Sequence, residues 1–170
     1  MGSPLRRLNI DLARGTEHEN TVTEGSIAGY DFPANFWTTG KVVEFVGSLT
    51  VVDSNSTDTL LLAVRFGAST TVTSNTSLAA GAAVDVADAD IATVRGTLVC
   101  RSAGSAGSFF CSINQSDADA AGVAVKAYAA VASSIDTTAA TYLDWTGDWS
   151  VAHADNEVAS DLWNVYEIVD

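Results

Sequence analysis

The 170-residue chain is poor in cysteine, proline, methionine and basic residues: 2 Cys, 2 Pro, 1 Met, and 8 Lys+Arg against 21 Asp+Glu. Each shortage narrows the field. Two cysteines exclude a disulfide-rich framework. A formal net charge of -13 repels the phosphates of nucleic acid and an anionic membrane surface, so neither is expected as a partner. No apolar run approaches the roughly 18 residues of a spanning helix. Met1-Gly2-Ser3-Pro4-Leu5-Arg6-Arg7 lacks an apolar h-region after its basic pair, so no signal peptide is expected. A Gly-x-Ser-x-Gly elbow, a phosphate-binding loop and a dinucleotide fingerprint are all missing from the sequence.

What is present is small and alternating. Hydrophobic residues make up 47% of the chain, but 27 of them are Ala, and 18 Thr with 17 Ser add more small side chains. From residue 36 onward the apolar period is two, as in half-buried strands. Val43, Phe45, Gly47, Leu49 and Val51 share one face, and Leu60, Leu62, Val64 and Phe66 another. Val94, Gly96, Leu98 and Cys100, then Val123 to Val131, then Leu143, Trp145, Gly147, Trp149 and Val151 repeat the pattern. Thr70–Ser74, Phe109–Gln115 and Leu162–Val169 complete about eight strands, with no long helix. Asp53–Asp58 reads as a turn and Ser102–Ser108 as a Gly/Ser hairpin loop. The expected fold is all-β: a two-sheet antiparallel jelly-roll sandwich, with an immunoglobulin-like sandwich as the alternative.

Charge divides the chain. Residues 1–14 hold three Arg and one Asp, a net of about +2, and the remainder carries about -15. Residues 15–35 are polar and broken by Gly15, Gly25, Gly29 and Pro33. The expected organisation is an extended N-terminal arm over 1–35 and a sandwich domain over 36–170.

Candidate chemistry is sparse. Cys100 and Cys111 face each other if the hairpin centres on Ser105 and Ala106, which makes them a candidate cross-strand pair; two buried thiols are the plainer alternative. His18 and His153 have no Cys or His partner at metal spacing, and both read as exposed. Asp85, Asp88, Asp90, Asp117 and Asp119 read as solvated loop charges, although a glycosidase pair of carboxylates is a conceivable use. Asp53, Asn55 and Asp58 offer oxygens from one loop but break the EF-hand pattern. The sequons at Asn55, Asn75 and Asn114 indicate surface loops. No catalytic residue, cofactor or metal is therefore expected. Trp37, Trp145, Trp149, Trp163 and Tyr166 serve either the core or an interface between subunits.

Five segments, in order, resemble small jelly-roll structural proteins of tailed bacteriophages. They are Phe36–Phe45, Asn55–Gly67, Ile91–Ser102, Asp136–Ala140 followed by Leu143-Asp144-Trp145, and Trp149–Ala152 with Asn156-Glu157-Val158. The longer acidic loop at 85–90 and the aromatic-rich final strand depart from that pattern. The resemblance implies a non-enzymatic virion protein, typically a homotrimer. Its expected role is head decoration: a cement protein on the head surface, assembled in the bacterial host cytoplasm and bridging major capsid protein subunits. A tail-fibre or spike tip binding a host glycan is the alternative. An arm more positive than its body suits anchoring on an acidic shell, with Arg6, Arg7, Leu8 and Arg14 as the expected shell contacts.

Overall fold

The computed structural model describes residues 5–11, 15, 17–53, 57–116 and 125–169. Arg14, Asn55, Asp117 and Asp119 therefore lie outside the described residues, and so does the first part of the alternating run from Val123.

Twelve strands form two antiparallel sheets. They are β1 (Leu5–Asp11), β2 (His18–Glu19), β3 (Gly25–Phe32), β4 (Val42–Asp53), β5 (Thr59–Gly67), β6 (Thr76–Ala80), β7 (Val84–Asp85), β8 (Ile91–Ser102), β9 (Gly107–Ser116), β10 (Val125–Ile135), β11 (Thr141–Trp149) and β12 (Glu157–Ile168). The larger sheet runs β1-β12-β4-β8-β9-β10, with β2 also on β12. The smaller runs β3-β11-β5-β6, with β7 on β5. Seven of the expected strands are observed. The Thr70–Ser74 strand is not: Val72–Ser74 is a single 3-10 turn, and the strand begins at Thr76. The turn is anchored by Asn75, whose amide bonds both the N–H and the C=O of Ser69.

The free-standing arm is corrected. Within residues 1–35, β1 pairs along β12 from Leu5↔Ile168 to Asp11↔Trp163. β3 pairs along β11 from Phe32↔Thr141 to Gly25↔Gly147. Both strands are extended and lie at a sheet edge, so each pairs along one side with its own sheet. Gly25 and Gly29 lie within β3, paired with Gly147 and Asp144.

Alternation places one residue of every pair inside. The buried faces of the two sheets meet in a core of Phe32, Trp37, Phe45, Phe66, Phe109, Trp145, Trp149 and Trp163 with Leu, Val and Ile between them. Small residues let the large ones in: a Cβ added at Gly96 would fall 2.2 Å from Phe45 Cζ, and one at Gly47 would fall 2.8 Å from Trp163 Cε3. The Ala- and Gly-rich composition therefore accommodates bulky rings rather than thinning the core. Polar links also tie the sheets: Gln115 Nε2 donates to Leu62 O at 3.0 Å, Tyr128 Oη to Ala80 O at 2.8 Å and Trp149 Nε1 to His18 O at 3.3 Å.

Candidate contact surface

The aromatic candidates divide cleanly. Trp37, Trp145, Trp149 and Trp163 are core residues, at most 3% exposed. Trp37 Nε1 donates to Thr141 Oγ1 at 2.8 Å, and Trp149 Nε1 to His18 O at 3.3 Å. Tyr166 alone among the five is half-exposed and lies on the outside of the larger sheet.

The cysteines are not partners. Cys111 lies opposite Leu98 and Cys100 opposite Phe109, so the register is two residues away from the symmetric expectation. The hairpin turns at 103–106, with Gly104 at φ +122°, and a bulge between Cys100 and Ser102 absorbs the extra residue. Both thiols are free and buried. Burial pushes the Cys111 thiol up to about 12 and raises Cys100 as well, so neither is a nucleophile at neutral pH.

The expected shell contacts separate by face. Arg6 points to the sandwich end and pairs with the Glu167 carboxylate, which Lys41 Nζ also meets at 2.9 Å. Leu8 packs against the core. Only Arg7 remains as an outward cation of β1. Arg6, whose side chain stays 58% exposed, and Leu8 thus both help to hold β1 on its own sheet.

Two outer surfaces result. On the larger sheet, register pairing lines up one apolar residue from each of six strands: Leu5, Ile168, Val42, Val99, Phe110 and Val131. This row crosses the whole sheet, about 24 Å at strand spacing. Leu5 and Val131 at its ends are 56% and 60% exposed. The adjacent rows carry Arg7, Tyr166 and Glu44, then Val46 and Arg95. Leu5, Glu44, Phe45, Val46, Arg95 and Tyr166 line a shallow hollow of about 300 Å³ there. Arg101 lies over the Phe110 ring at 5.1 Å. Among the described residues, no ion pair engages Arg7, Arg95 or Arg101.

The outer face of the smaller sheet is acidic and internally bonded. Arg65 donates to Glu24 through Nε (2.5 Å) and Nη2 (2.6 Å), and Thr146 Oγ1 donates to Glu24 Oε1 at 2.6 Å. These bonds outweigh burial and hold the Glu24 carboxyl below its ordinary value. Asp144 accepts from Ser26 Oγ at 2.7 Å, yet burial raises its pKa, and burial with the nearby Glu24 charge raises Asp148. His18 is not exposed as expected. Its ring packs over Gly25, where an added Cβ would fall 2.7 Å from His18 Cε1, and burial lowers its pKa against the opposing charge of Asp148. Sequence reasoning missed this cluster because Glu24, Arg65 and Thr146 are far apart in the chain; the lone Arg65 inside an apolar strand was the available signal.

Other candidates take structural roles. Asp58 is buried, and its Oδ2 accepts from Asn156 Nδ2 at 2.9 Å. Asn75 is buried, and Asn114 lies mid-strand in β9, so neither sequon marks a surface loop. His153 is partly exposed, 3.6 Å from Asp155. Among the described residues, no group of three or more His, Cys, Asp or Glu is placed to hold a metal ion. No helix among them is long and apolar enough to cross a membrane.

No family model matches the chain. No curated protein matches it either. Among solved structures, "Structure of infectious bursal disease virus Gx strain" is similar over 99% of this chain and 43% of that one, with a TM-score of 0.36 and 12% identity. The chain thus spans less than half the length of that neighbour.

Proposed function

We propose that the protein is a non-enzymatic structural component of a virion, a head decoration protein that works through surface contact. The observation that carries this reading is the apolar row across the outer face of the larger sheet, bordered by cations that have no ion-pair partner among the described residues. Contiguous apolar surface on a soluble domain marks an interaction site. The phage resemblance of residues 36–169 agrees with it. In this reading the domain has a viral jelly-roll fold and acts as a homotrimer, so that several modest contacts on one rigid body raise avidity by about 10²–10⁴ over a single contact. The major capsid protein subunits are its partners, and the larger sheet rather than a free arm supplies the contact.

Electron cryo-microscopy of virions containing the protein tests the role. The expected result is density on the head lattice, present in virions with the gene and missing from virions without it. Density at the tail tip, together with glycan binding by the isolated protein, would replace this reading with the fibre-tip one. Native mass spectrometry of the purified chain tests the trimer; a lone monomer at micromolar concentration would remove it.

A further inference from the structure

The outer face of the larger sheet also specifies the chemistry of what covers it. Arg7, Arg95 and Arg101 face outward there, with the carboxylate of Glu44 in the row beside the apolar one and that of Asp161 farther along, held by Thr50, in a chain whose net charge is -13. The remaining described cations are engaged elsewhere: Arg6 and Lys41 on Glu167, Arg65 on Glu24, and Lys126 in contacts of its own. Among the described residues, three arginines therefore lie on the face that carries the apolar row, while the opposite face carries Glu24, Asp31, Asp144 and Asp148 against the guanidinium of Arg65.

We infer that this face docks on an acidic surface of a different protein, an apolar ridge flanked by carboxylates, and that the acidic sheet points away from it. The inference rests on the contact-protein reading above and names the partner's chemistry. A second copy using the same face would set three arginines against three. A second copy offering its acidic sheet would use opposite sides of one sandwich, which generates an open stack rather than a closed oligomer. A separate acidic protein meets neither obstacle. Its carboxylates would pair with guanidiniums already held over a flat sheet, with Arg101 pre-positioned by Phe110. The hollow beside Arg95 and Tyr166 would take one side chain of its ridge.

A peptide array provides the probe. Full-chain protein is applied to 12-residue strand peptides with a fixed Leu/Val/Phe face and flanking positions set to Glu, Ser or Lys. The expected order is Glu over Ser over Lys. Arg7→Glu combined with Arg95→Glu should weaken the Glu peptides by about tenfold or more and invert the preference. Both sites are exposed strand positions, and circular dichroism confirms the fold. Equal binding to all three sets overturns the inference. So does an oligomer that falls apart in the double variant, which would assign the face to a second copy. Binding to vesicles of 30% phosphatidylserine that the double variant loses would assign it to lipid and overturn it as well. This result is separable from the virion test: a protein seen on the head with its larger sheet facing solvent refutes the inference and leaves the function standing.

Discussion

The two outer faces of the sandwich solve the same problem in opposite ways. Each sheet must present polar groups on its exposed side. The smaller sheet presents carboxylates and then consumes them: Glu24 is held by Arg65 and Thr146, and Asp144 by Ser26. The larger sheet presents three arginines without a carboxylate partner among the described residues and sets them beside six apolar side chains. The difference shows that formal charge is a poor guide to which surface is available. The strongly acidic face is largely spoken for by its own structure, and the weakly basic face is open.

Four experiments can break or sharpen that contrast. The largest effect is expected from Arg65→Met, which strands the largely buried Glu24 charge. A loss of about 2–4 kcal/mol in urea unfolding is expected, with much of it recovered in the double variant carrying Glu24→Gln. A loss below about 0.5 kcal/mol, the range of an ordinary surface change, would mean that the acidic face is not internally bonded. Next comes Gly96→Ala in the core shared by both faces. The added methyl meets the Phe45 ring, and a loss of about 1–3 kcal/mol is expected from overpacking; an unchanged midpoint would show that Phe45 moves freely.

A smaller effect concerns pH. His18 has a lowered pKa because burial disfavours its charged form. In the window between the ordinary imidazole value and the lower folded one, the unfolded chain binds the extra proton. Stability is therefore full above the ordinary value and falls as pH drops through this window. Comparing unfolding midpoints at pH 7 and 5 should show a smaller loss in His18→Asn than in the wild type; identical slopes would place the imidazole in solvent. The smallest effect is expected on the open face. Phe110→Ser and Val131→Thr should change stability by less than about 0.5 kcal/mol each, because their side chains face outward. A large loss would show that the row is packed rather than available.

Much of the fold was legible because period two in residues 36–169 is dense. Val43 to Val51 and Val94 to Cys100 could face a core in only one way, and both do. The N-terminal segment 1–35 was misread because breakers at Gly15, Gly25 and Gly29 hide short strands whose partners lie more than 100 residues away. Separations of 41 and 122 residues from Glu24 hid the cluster it forms with Arg65 and Thr146. The tryptophans were readable as large and ambiguous as to face; only the register assigns them inward. The cysteine pair failed on two one-residue shifts, a turn centred on Ser105 and a bulge between Cys100 and Ser102, neither of which loop composition encodes. The apolar row failed differently: its six residues come from six strands, so no local window contains two of them on one face.

The pairing of Leu5 with Ile168 has a consequence for how the chain is made. Strand β1 can find its neighbour β12 only after residues 157–168 have been made. Until then β1 and the opposite edge of β4 wait unpaired, and the larger sheet lacks two of its six main rungs. Closure is thus a late, non-local event, of the kind that is slow and leaves strand edges open to wrong partners. An early stop or a bulky C-terminal fusion should therefore lower soluble yield through failed closure at that seam.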